Sequence, residues 1–172
     1  FFVFFARVRG APRALHLSIR RQRQMLMRDR LKYERQFWQA SKLAVLLAPR
    51  IEKPAKVITF VPLHWGRYLR RGFNQSELIA RSLAQQLNAP CQPLFKRVRA
   101  TPQQQGLTKV ERKRNLDRAF LLNGEIVADH IAIVDDVLTT GSTVQHLCEL
   151  LLEAGVKSVD IYCICRTPEP AS

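Results

Sequence analysis

Apolar positions recur along this 172-residue chain at two spacings, and the switches between them mark its elements. Phe37, Ala40, Ala44 and Leu47 follow helical spacing, and Pro49 ends that run. Lys56–Val61 is a short β-rich stretch closed by Pro62, which reads as a buried strand. Asn74 with Glu77 three residues later resembles a capping box, and the helix it opens carries Ile79, Leu83 and Leu87 on one face. Pro90–Val98 holds a second strand, and Ala119–Leu122 and Ile131–Val134 read as further strands. Thr143–Ala154 is predicted as a helix with Val144, Leu147, Leu151 and Ala154 toward the core and Gly155 just past its end. Ser158–Cys165 is the last strand. Strands alternate with helices and several are continuous apolar runs, so the expected fold is α/β: an open, mostly parallel sheet flanked by helices.

Three stretches break the pattern. The opening Phe1–Ala6 is a short greasy patch, and Arg7, Arg9, Arg13, Arg20, Arg21, Arg23, Arg28 and Arg30 then scatter among apolar residues. A helix is expected somewhere within Leu15–Lys32, and residues 1–34 are read as an Arg-rich segment apart from a domain at 35–172. The stretch "PLHWGRYLRRGFNQSE" reads as a long basic loop. Arg99–Arg118 offers no regular apolar period, and so long a stretch without clear secondary structure is more often a functional lid than a connector.

Composition narrows the classes. An apolar fraction of 47% with nine Pro and seven Gly fits a globular domain. No apolar run reaches the roughly 20 residues needed to cross a bilayer, and the start lacks a secretory pattern, so no membrane insertion and a cytoplasmic location are expected. Cys91, Cys148, Cys163 and Cys165 show no C-x-x-C spacing and read as core thiols, with no direct metal ligands. The formal charge of +14 attracts polyanions: nucleic acid, phosphorylated metabolites or acidic lipid.

The chemistry concentrates in "IAIVDDVLTTGST". In open α/β sheets, ligands sit beyond the carboxyl ends of strands where a loop enters a helix. Gly141 can take a conformation that other residues avoid, and successive N–H groups at a helix start form an anion cradle. Thr139, Thr140, Ser142 and Thr143 add hydroxyl donors. Asp135 and Asp136 are acceptors suited to a sugar diol, or to Mg²⁺ through water. Phosphate donors beside diol acceptors describe a ribose 5-phosphate site; the bland alternative is a strand-to-helix turn rich in polar caps. There is neither a P-loop nor a G-x-G-x-x-G.

"IVDDVLTTGST" resembles the phosphoribosyl-pyrophosphate (PRPP) motif of type I phosphoribosyltransferases. The resemblance implies that Asp135 and Asp136 bind the ribose 2′ and 3′ hydroxyls and that Leu138, Thr139, Thr140, Gly141, Ser142 and Thr143 hold the 5-phosphate, with Mg²⁺ as cofactor. "VPLHWGRYLRRGFNQSELIARSLAQQL", "KRVRATPQQQGLTKVERKRNLDRAF" and the early "LKY" are similar to the ComF (GntX) branch, which is linked to DNA uptake in competence. Full-length members of that branch begin with a cysteine zinc module, and the sequence carries no such cysteines, so its Arg-rich beginning is read as truncated or atypical.

A transferase of this kind displaces pyrophosphate from the ribose C1, which asks for cations at the leaving group. Leu63–Gly72 lies where the resemblance places a pyrophosphate loop, so Arg67, Arg70 and Arg71 are candidates there. Arg97, Lys109, Arg112 and Arg114 are candidates from the hood, with Gln103–Gln105 near the opening. Of these, Asp135, Asp136, Arg71, Lys109 and Arg112 form the candidate catalytic set, while Arg67, Arg70, Arg71, Arg97 and Arg114 are expected to touch pyrophosphate or nucleic acid. His64 and Trp65 either stack on a ligand or pack the loop, Asn74 and Gln75 cap a helix, and His130 and His146 read as structural. The competing function is a non-catalytic accessory protein of DNA uptake. In that case Trp65, Tyr68 and Phe73, interleaved with Arg67, Arg70 and Arg71, would meet single-stranded DNA or a helicase partner.

Overall fold

A computed structural model describes residues 4–9, 38–98, 119–138 and 141–166. The central sheet has the order β1-β6-β5-β2, built from β1 (Phe4–Arg9), β2 (Val57–Phe60), β5 (His130–Leu138) and β6 (Ser158–Arg166). Strands β2, β5 and β6 run parallel, and β1 joins the far side of β6 antiparallel, with Phe4 opposite Cys163 and Arg9 opposite Ser158. The mostly parallel α/β expectation holds. Phe4–Arg9, which begins inside the greasy opening patch, is an edge strand, because alternation in "FFARVR" matches the pleat and β6 presents a free ladder to it.

Ile131, Ala132, Ile133 and Val134 are all fully buried, as a central strand packed on both faces requires. Ala132 and Val134 meet Ala44, Leu47, Ile79 and Leu83 from α1 (Trp38–Leu47) and α3 (Gln75–Leu87). Ile131 and Ile133 meet Val144, Leu147 and Leu151 from α4 (Ser142–Glu153), together with Phe95 and Phe120. Those two phenylalanines come from a separate antiparallel pair, β3 (Phe95–Arg97) and β4 (Phe120–Leu122). The strand expected within Pro90–Val98 is β3, three residues long and outside the main sheet. The earlier part of that stretch instead makes a bridge from Cys91 to Ile58, with Pro90 O accepting from Ile58 N–H, which covers the β2 edge.

Two further expectations are corrected. The "long basic loop" contains a helix, α2 (Trp65–Arg71): His64 Nδ1 accepts from Gly66 N–H at its start, and Gly72, at φ 79°, ends it. Leu and Arg favour helix and the caps serve its ends, but the helix has only seven residues and buries no periodic face that sequence could reveal. Strand β5 does not stop at Val134. Its partner β6 is equally long, so pairing continues through Asp135–Cys163 to Leu138–Arg166 and both acids lie within the strand.

Smaller features mostly match. Helix α4 begins one residue earlier than expected and ends at Glu153, so Ala154, expected to face the core, is an exposed cap residue, and Gly155 takes φ 95° just after it. Pro49 lies in a 3-10 turn, Ala48–Arg50, that ends α1. Asn74 caps α3 as expected, but Glu77 does not return to it; its carboxylate accepts from Arg81 at 2.9 and 3.0 Å. The expected helix within 15–32 and the lid at 99–118 lie outside the described residues. Among the described residues, no helix is long and apolar enough to cross a membrane.

Candidate functional site at the end of the central strand

The C-terminal ends of β2 and β5 open on one edge of the sheet, because the two strands run parallel in register, Phe60 beside Val134. The chain leaving β2 stays close: Val61 N–H donates to Val134 O, and Asn74 Nδ2 donates back to Val61 O at 3.0 Å. That second bond closes the Pro62–Phe73 excursion, including α2, onto the strand edge. Asn74 therefore serves twice, since its Oδ1 also accepts from Ser76 N–H at 3.1 Å.

Asp135 and Asp136 lie at this edge. Asp135 Oδ1 accepts from Asp136 N–H at 2.9 Å and from the Ser76 hydroxyl at 3.3 Å. The same Asp136 N–H also reaches Ser76 Oγ at 3.2 Å, and Asp136 Oδ1 accepts from Val137 N–H at 2.9 Å. The Asp135 residue is only half-buried, but its carboxyl is closely surrounded by protein. Burial, and then the neighbouring Asp136 carboxylate, hold its pKa well above the usual carboxylate range.

Beyond Leu138 the chain turns at Gly141 into α4. Gly141 sits at φ 74°, a left-handed conformation that costs other residues about 1–2 kcal/mol. As the cap residue it brings no side-chain acceptor, and the first turn of α4 holds no acid. Neither the cap nor the first turn of this twelve-residue helix supplies an anion of its own, and the positive helix end favours one. Ser142 and Thr143 stand in that turn, half-buried. The Leu138 side chain is buried in the core, so this residue can serve a ligand through its backbone alone.

The structure thus brings together Asp135, Asp136, Leu138, Gly141, Ser142 and Thr143. Thr139, Thr140, Gln103–Gln105, Lys109, Arg112 and Arg114 lie outside the described residues. Arg67, Arg70 and Arg71 are on α2, tethered to this edge through Val61 and Asn74. Arg97 sits on β3 with its guanidinium 5.2 Å from the Phe120 ring centre, a cation–π contact, and that ring lies 6.2 Å from His146. His64 acts as a helix cap whose ring is 5.6 Å from that of Trp65. His130 pairs with buried Asp160 at 3.0 Å, which Tyr162 also reaches, consistent with a structural role.

Ser76 was missed by sequence reasoning. The signal available was its place two residues after the helix cap, but contact with acids 59 and 60 residues away is a property of the packed fold. Among the described residues no cluster of three or more His, Cys, Asp or Glu could hold a metal by itself. The acid pair still fits Mg²⁺, which is usually bound through one or two carboxylates and completed by water and ligand phosphates.

The model of the phosphoribosyl transferase domain matches residues 74–172, more than half of the chain. The chain is 41% identical over 152 residues to DNA utilization protein YhgH of Salmonella typhimurium, covering 83% of this chain and 66% of that protein. It is 35% identical over 151 residues to Competence protein F of Haemophilus influenzae, covering 80% and 66%, and 26% identical over 139 residues to Competence protein ComFC of Streptococcus pneumoniae, covering 80% and 61%. It thus spans 66% or less of the length of these relatives. A solved purine phosphoribosyltransferase from Pyrococcus horikoshii Ot3 overlays with a TM-score of 0.45 at 18% identity, covering 78% of this chain and 93% of that one. An acid pair leading into a glycine-started helix lies inside the matched region, and the chain belongs to the phosphoribosyl transferase domain family, among its ComF-type members.

Proposed function

We propose that this chain binds PRPP, or another ribose 5-phosphate ligand, together with Mg²⁺ at the edge between β5 and α4. The observation that carries the reading is the juxtaposition of the Asp135–Asp136 pair with the α4 start, whose cap residue Gly141 brings no side-chain acceptor. The amides and hydroxyls of Gly141–Thr143 would receive the phosphate, and the two carboxylates would accept from the sugar diol. Asp135 and Asp136 are also the residues that would hold Mg²⁺, whose bound charge offsets the negative charge growing on a pyrophosphate leaving group. Arg67, Arg70 and Arg71 are proposed to steer the polyanion to the site.

In this reading ribose 5-phosphate is transferred to an acceptor, in a process of the kind that the relatives' names, DNA utilization and competence, point to. Calorimetric titration of PRPP with Mg²⁺ tests the site: binding should be abolished in Asp135→Asn plus Asp136→Asn. Equal affinity in that double variant would sink the assignment.

A second reading has its own observation. Trp65, Tyr68 and Leu69 are 67%, 47% and 73% exposed on α2, a helix that also carries three arginines. Aromatic platforms within a basic segment suit single-stranded DNA, with or without catalysis at the neighbouring edge. Quenching of Trp65 fluorescence by oligonucleotide, lost steeply as salt rises, supports this reading; salt-insensitive or absent quenching overturns it.

A further inference from the structure

Ser76 is buried, at 5% exposure, yet it is a polar residue in the first turn of a helix that already has its cap. Its amide is taken by Asn74 Oδ1. Its hydroxyl does not turn back to its own helix: it donates to Asp135 Oδ1 and accepts from Asp136 N–H. One atom therefore bridges α3 to both members of the acid pair. With Oδ1 held by the Ser76 hydroxyl and by Asp136 N–H, the orientation of the Asp135 carboxyl at the edge is set by those two donors.

We propose that Ser76 is a positioning residue for sugar recognition, orienting Asp135 so that the site selects a ribose with its diol over a 2-deoxyribose. The inference rests on the ribose 5-phosphate reading above and deepens it by naming what sets the sugar class. The physical reason is geometric. A carboxylate distinguishes a hydroxyl from a hydrogen only when it is held where the hydroxyl arrives; a freely rotating one meets water in either case. Ser76 touches no ligand in this scheme and acts entirely through Asp135. Its own placement comes from the Asn74 bonds to Val61 O and to the Ser76 amide, so the corner that carries α2 and the diol acceptor share one anchor.

The test compares affinities for ribose 5-phosphate, 2-deoxyribose 5-phosphate and inorganic phosphate in the wild type, Ser76→Ala and Ser76→Thr, with melting temperature as a control for folding. The wild type should prefer ribose 5-phosphate by about tenfold, the size of a hydrogen bond to a charged group. Ser76→Ala should bring the two sugar phosphates to nearly equal affinity while leaving inorganic phosphate unchanged. Ser76→Thr, which keeps the hydroxyl, should restore the preference. A merely structural role would weaken all three ligands together and overturn the proposal, as would an undiminished preference in Ser76→Ala. If the wild type binds neither sugar phosphate, the ribose 5-phosphate reading itself fails and this inference falls with it.

Discussion

The acid pair and the α2 corner lie on one edge of the sheet and are built in opposite ways. Around Asp135 and Asp136, backbone and side-chain groups are held by donors and acceptors from two distant segments, and Ile131–Val134 just before them are fully buried. The corner holds its ends, through His64 and Gly72, but leaves the largest side chains of α2 in solvent. A small ligand gains from groups fixed before it arrives, because little ordering is then required on binding. An extended polyanion gains from exposed aromatic and cationic surface, where a precise pose matters less.

The sharpest way to break this comparison is to remove the two carboxylates. Asp135→Asn with Asp136→Asn should lower affinity for PRPP with Mg²⁺ by about a hundredfold or more, of the order expected for charged hydrogen bonds lost in pairs. Affinity for single-stranded DNA should stay unchanged, read by fluorescence anisotropy on the same preparation. Chelating Mg²⁺ should reproduce the loss in the wild type.

The converse variant, Trp65→Ala with Tyr68→Ala, should weaken DNA binding by about tenfold or more, since stacking contributes roughly 1–3 kcal/mol per base. Its melting temperature and PRPP affinity should hold, because both side chains are exposed. Loss of both activities together would mean that the corner and the acid pair form one binding unit.

A third measurement uses pH. In the folded chain Asp135 holds its proton to a pH well above its ordinary value of 3.8, for the reasons of burial and a like charge given above. The folded state therefore binds that proton more tightly than the unfolded state. The stability it contributes is complete below the unfolded value and is lost as pH rises through the folded one. Asp135→Asn removes the charge that is disfavoured, so it should melt a few °C above the wild type at neutral pH, with the gap closing near about pH 4. A variant that is more stable yet binds no ligand would identify Asp135 as a group kept for function at the expense of stability.

Gly141→Ala should cost about 1–2 kcal/mol from the left-handed φ alone, since among the described residues a Cβ there would meet only Leu138 Cδ1, at 4.0 Å. Its melting temperature should fall by a few degrees. Smallest of all, Lys56→Ala should leave the melting temperature nearly unchanged, because the Lys56 side chain is exposed and its partner Asp129, just before β5, is only half-buried.

How much could be read beforehand differs between the same two regions. "IAIVDDVLTTGST" declared a buried strand, an acid pair and a helix start because each of those is a local matter of residue type and spacing. The corner was misread as loop because a seven-residue helix with its apolar side in water has no burial period to detect. Phe4–Arg9 was passed over for a related reason: an edge strand exists only when a neighbour offers its ladder.

The sequence alone determined the alternation of helix and strand, most of the core faces of α3 and α4, and the acid pair that leads into a glycine-started helix, since these follow from short-range periodicity and residue chemistry. Tertiary structure alone decided how far β5 runs, that β3 and β4 leave the main sheet, and that Ser76 reaches an acid 59 residues away. Those features depend on which segments meet, and no single segment encodes its partner.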